Sequence, residues 1–144
     1  MNAKLLPACV AGAAMLLAAA PVVAHHSFAA EFDGSKRITL VGVVTKVEWM
    51  NPHTFFYLDV KDDGGKVTNW ALETGSPNAL SRRGWTRHSL KEGDQVTVQA
   101  FRAKDGANMG SAGLVTLADG RKVFAGSSDD GSPQADNTSK APQK

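Results

Sequence analysis

The residues with the most chemistry in them are the histidines, of which the chain has four: His25, His26, His53 and His88. His25 follows Val22-Val23-Ala24, a sequence with small residues at the first and third positions before a signal peptidase cut. A cut there makes His25 the first residue of the mature chain. A terminal amine has a pKa of about 7.7 to 8.0, so part of it is neutral near pH 7 and chelates together with the imidazole of the same residue. A second imidazole, from His26 or His53, completes a nitrogen-rich tetragonal set of the kind that suits Cu(II) or Ni(II), with Glu31 or Asp33 as possible oxygen ligands. The amino-terminal copper and nickel motif requires histidine at position three, and here that position is Ser27. The plainer reading of His25-His26 is a flexible polar end. That of His53, which follows Asn51-Pro52, is a turn residue whose ring bonds backbone.

A second candidate site is aromatic. Phe55 and Tyr57 alternate with Phe56 and Leu58 and fall on the opposite face of one strand, so they could offer a ligand-binding surface for a peptide, glycan or small molecule. The bland alternative is that Phe28 to Phe32 or the tail covers them. Arg82, Arg83 and Arg87 surround Trp85, but cations at a helix end suit its dipole without any ligand. No nucleophile elbow, His-Glu-x-x-His helix or glycine-rich phosphate loop occurs, which argues against an enzyme.

The elements that would carry these residues begin with an export signal. Lys4 is the only charge before the apolar run from Leu5 to Ala20, Pro21 ends that run, and residues 1–24 read as a cleavable signal peptide. The run is too short for the roughly 20 apolar residues of a spanning helix, so no stable membrane span is expected after cleavage and the mature protein is expected in the periplasm or outside the cell. The full chain carries 16 basic and 14 acidic residues, and loss of Lys4 leaves 15 against 14, a balance of +1. So small a charge gives little attraction for phosphate, and nucleic acid is not an expected partner. The single cysteine, Cys9, leaves with the leader, so no disulfide or zinc–cysteine site is available. Residues 127–144 contain no large apolar side chain, and a disordered polar tail is expected there.

Residues 25–126 form the expected domain, and the dominant sequence period in it is two. Val41, Val43, Thr45, Val47 and Trp49 share one face of a first strand, with Lys46 and Glu48 on the other. Gly42 would let so long a strand coil sharply. The stretch from Phe55 to Val60 and that from Lys66 to Glu73 flank Asp62-Asp63-Gly64-Gly65, the composition of a hairpin turn. Ser76-Pro77 and Gly84 bracket a short helix, and two further strands and a short final one follow. The layout predicts a mainly β fold, a small OB-like β-barrel of five to six strands with one short helix.

Taken as a set, His25-His26-Ser27-Phe28, Asn51-Pro52-His53, Trp70 with Glu73, Ser76-Pro77-Asn78 and Arg83-Gly84-Trp85 followed by Gly93-Asp94 resemble a family of small exported bacterial proteins of unknown function. The resemblance runs from His25 to about Gly126 and implies export and a barrel-like domain. It implies no activity and gives no residue a role. The amine and imidazole at His25 also resemble a histidine brace in outline. The mature chain is expected to start at His25, because a cut after Ala20 would place Pro21 behind the scissile bond. Intact mass of protein from the native envelope checks this, and any other start removes the terminal chelate.

Overall fold

The computed structural model describes residues 28–126. The expected signal peptide, His25, His26 and the expected tail at 127–144 lie outside them. A four-residue helix α1 (Phe28–Glu31) leads into strand β1 (Phe32–Glu48), followed by β2 (Phe55–Lys61), β3 (Val67–Glu73), helix α2 (Pro77–Ser81), β4 (Gln95–Ala103), β5 (Met109–Leu117) and β6 (Lys122–Phe124). The strands lie in the order β3-β2-β1-β4-β5-β6, and β3 also pairs with β5. That last pairing is parallel, Ala71 to Glu73 against Met109 to Ser111, and it closes the sheet into a ring. The expected mainly β, OB-like barrel is therefore the fold.

β1 is the long element because two partners share it. Gly42 to Glu48 pairs with β2, and Arg37 to Val43 pairs with β4. A Cβ on Gly42 would lie 2.6 Å from the carbonyl oxygen of Asp59, so the glycine is required by close approach of two backbones. The pairing with β2 then skips a residue between Val44 and Lys46. This bulge corrects the face expected from alternation. Val44 is 1% exposed and Leu40 is buried, whereas Val41 is 64% and Val43 37% exposed. Beyond the bulge, Val47 and Trp49 pack against the core as expected. One extra residue moves every later side chain to the other face, so a pattern that runs straight through Thr45 is right on only one side of it.

Local chemistry sets the connections. The β2–β3 hairpin is closed by Asp62, whose backbone donates to Lys66 at 2.9 Å while its carboxylate accepts from the Lys66 amide at 2.9 Å, with Gly65 at φ +86°. Ser76 caps α2, its hydroxyl accepting from the Ala79 amide at 3.2 Å, and Pro77 occupies the first turn.

The interior is filled by Val44, Phe56, Leu58, Leu72, Leu80, Val98 and Val115, with Trp85 and Leu90 among them. A second cluster lies apart from this one: Phe28 and Phe32 pack on Phe101 and Ala103, with Met109 alongside. The Phe28 and Phe101 rings meet edge to face at 5.3 Å. The end of the described chain is fastened too. Trp85 donates its indole N–H to the Phe124 carbonyl at 2.9 Å, Gly75 donates to Ala125 at 3.0 Å, Ala125 donates to Gly113 at 2.9 Å, and Arg83 donates to Gly126.

The bulge gives a direct test. Val43→Thr and Val44→Thr are nearly isosteric, but only Val44 buries the new hydroxyl. Val44→Thr should cost about 1–3 kcal/mol in urea unfolding, and Val43→Thr should stay within about 0.5 kcal/mol. Equal losses would place both side chains in the same environment.

Candidate functional site

The outer face of β1, β2 and β3 carries the polar and aromatic residues of interest. It meets the β1–β2 loop, Trp49 to Thr54, at one end. Thr54 fixes that loop: its amide donates to Gly75 at 3.2 Å, and its carbonyl accepts from the amide and the hydroxyl of Thr74, each at 2.9 Å. The Asn51–Pro52 peptide within the loop is cis. His53 therefore stands on a loop tied to the strand end beside it. Its Nδ1 pairs with Oε1 of Glu73, the last residue of β3. Glu73 is buried, with its side chain 11% exposed, and the His53 side chain is 28% exposed.

The expectation that the His53 ring bonds backbone is thus replaced by a bond to a carboxylate. A neutral imidazole that donates from Nδ1 keeps its lone pair on Nε2, the nitrogen then able to accept a proton or hold a metal. In the sequence Glu73 stands at the end of a strand and, with Trp70, among the residues that carry the family resemblance, with nothing there to pair it with His53. The two residues are brought together because Phe55 pairs with Glu73 across the β2–β3 ladder and His53 precedes Phe55 by two positions.

Phe55 and Tyr57 do lie on one outer face of β2, both partly buried, while Phe56 and Leu58 fill the interior. The segment from Phe28 to Phe32 covers Phe101 and Ala103 instead of these two rings. Tyr57 donates its hydroxyl to Oε2 of Glu48 at 2.8 Å, Lys46 donates to the other oxygen of Glu48, and the Lys46 ammonium lies 5.4 Å from the Tyr57 ring centroid. Asn69 extends the network, donating to Asp59 at 2.8 Å and to Thr45 at 3.2 Å. The hydrogen bond to Glu48, then burial, pushes the Tyr57 phenol above its ordinary pKa. Hydrogen bonds from Lys46 and Tyr57 hold Glu48 below the usual carboxylate range, and Glu48 raises Lys46.

Of the two possible oxygen ligands, Asp33 is engaged locally: its carboxylate accepts from the Ser35 amide at 3.0 Å and hydroxyl at 2.6 Å, which lowers its pKa. Glu31 sits in α1, beside the Phe28 strap. His88 is exposed and lines a groove of about 310 Å³ with Lys91, Asp94, Asp119 and Arg121, away from the His53–Glu73 pair. Among the described residues no three His, Cys, Asp or Glu side chains form a group able to hold a metal ion. Among them, too, no helix is long and apolar enough to cross a membrane.

A model of a family of unknown function, DUF6152, matches residues 13–112. The chain belongs to that family. The DUF6152 match takes in His25, His26, His53, Phe55, Tyr57 and Glu73, and it stops inside β5, before β6 and the fastened end at Gly126. Searches of curated proteins and of solved structures return no match to this DUF6152 chain.

Tyr57 is the only tyrosine, so phenolate absorbance reports it alone. The folded protein should titrate above pH 10, with the midpoint falling back toward 10 in Glu48→Ala. Because the folded state holds this proton more tightly than the unfolded chain, the linked stability is present in full below pH 10. It is lost as pH rises through the folded value. A midpoint unchanged by Glu48→Ala would disconnect the two groups.

Proposed function

We propose that this protein is an exported, non-enzymatic binding module that captures Cu(II) or Ni(II) with the terminal amine and imidazole of His25, aided by His26 and by Nε2 of His53. The observation that carries the reading is the His53–Glu73 pair. A carboxylate behind the distal nitrogen fixes the tautomer and ring orientation of a metal-binding histidine and raises its basicity.

The path of the chain also supports it. Glu73 pairs with Ser111, and Ser111 with Phe101, so two ladder steps of about 4.8 Å separate Glu73 from the strand position on which Phe28 packs. His25 lies three positions before Phe28, a reach of about 10 Å. A set of nitrogen donors from the terminus and from His53 is therefore compatible with the length of chain between them. The alternative, a peptide, glycan or small ligand held by Phe55 and Tyr57, has less support, since the Tyr57 hydroxyl is engaged by Glu48 and Lys46 lies over its ring.

Acetylating the terminus of protein that begins at His25 removes the basicity of the amine without shifting any histidine. Cu(II) binding should weaken at least tenfold, about 1.4 kcal/mol. His53→Ala should cause a further loss in the free-amine protein and little in the acetylated one. Equal Cu(II) affinity for free and acetylated protein overturns the reading.

A further inference from the structure

The loop that carries His53 also carries the more exposed of the two methionines among the described residues. Four large apolar side chains stand well exposed among the described residues: Val41, Val43 and Val67, which lie on strands, and Met50, which lies in the β1–β2 loop and is 50% exposed. The other described methionine, Met109, packs against the Phe28 cluster. Met50 precedes His53 by three residues, across Asn51-Pro52. Both ends of this loop are anchored, by β1 at Glu48 and by the Thr54 bonds to Thr74 and Gly75.

We infer that Met50 and His53 form a site for a monovalent soft cation, Cu(I), with the thioether sulfur of Met50 and Nε2 of His53 as donors. Thioether sulfur is a soft ligand that selects Cu(I), while imidazole serves copper in either oxidation state. Low coordination numbers suit Cu(I), so two side chains on one loop suffice where a tetragonal Cu(II) set does not. The imidazole is held in advance by Glu73, which removes part of the ordering cost of binding. The Glu73 carboxylate behind the ring places one negative charge next to a cation of charge +1. Met50 is unbranched and half-exposed, so its sulfur has three side-chain torsions through which to reach a neighbouring donor. The inference rests on the reading above through His53 alone and does not need the terminal amine.

The test uses protein that begins at His25, which retains Met50 and Met109 and has no cysteine, with methyl-labelled methionine and Ag(I) as the probe. Of the two methionine signals, the Met50 methyl, assigned by its absence in Met50→Leu, should shift and saturate with Ag(I), while Met109 stays in place. Ag(I) affinity read at the His53 ring resonances should fall at least tenfold in Met50→Leu. Cu(II) affinity should change less than twofold. His53→Ala, checked by circular dichroism to remain folded, should abolish the Met50 shift. A Met50 methyl that ignores Ag(I), or wild-type Ag(I) affinity in Met50→Leu, overturns the Cu(I) site and leaves the Cu(II) reading untouched. A saturating Met50 shift in protein whose Cu(II) affinity ignores acetylation sustains the Cu(I) site and removes the terminal chelate.

Discussion

Everything on this molecule's outer face depends on how closely β1 is allowed to approach β2. At Gly42 the two backbones come so near that a single methyl group would strike the Asp59 carbonyl. That contact lets one 17-residue strand belong to both halves of the barrel, pairing with β4 along its first half and β2 along its second. A few residues later the bulge at Thr45 turns the strand over. Without the bulge, Lys46 and Glu48 would face the hydrocarbon interior occupied by Val44 and Phe56. With it they face outward, where Glu48 receives the Tyr57 hydroxyl and Thr45 receives Asn69. The polar network on the outer face and the apolar seal on the inner face are two results of one inserted residue.

The His53–Glu73 pair depends on the same strands in a different way. Burying a carboxylate is costly unless charge or hydrogen bonds answer it. Glu73 meets that demand at the last rung of β3, where the loop from β1 folds back and offers an imidazole. The loop is in turn held by the backbone and hydroxyl of Thr74, the next residue along. Orientation of the ring is therefore set by its bond to Glu73, on a loop that the Thr54 bonds hold in place. That is the difference between a histidine that happens to be near a surface and one aimed from it.

Strand alternation made most of the barrel legible in the sequence. Phe56 and Leu58 against Phe55 and Tyr57, the Asp62 to Gly65 turn and the Ser76-Pro77 cap all reflect local preferences that act over a few residues. The bulge left no such trace, because Thr45 is a good strand residue whether it is paired or extruded, and valines at both 43 and 44 suit either register. The partner of His53 was illegible for another reason. Glu73 is 20 residues away and reaches the ring only through the β2–β3 register and the closing of the β1–β2 loop, both properties of the assembled sheet. The covering of Phe101 by Phe28 has the same character: the aromatic run near the start of the domain was visible, but the surface it would choose was not.

The fastening of Phe124 to Gly126 bears on how this protein comes into being. Phe124, Ala125 and Gly126 are held by Trp85, Gly75, Gly113 and Arg83, groups that lie between about ten and fifty residues earlier, and β6 completes the flank of β5 that β3 leaves open. A chain emerging from a ribosome or a membrane pore in order cannot make these bonds until almost all of the domain is out. Pairings of long sequence separation form late and slowly. The barrel, closed by the β3–β5 pairing and completed along β5 by β6, therefore gains its full set of bonds only once nearly all of the domain is free.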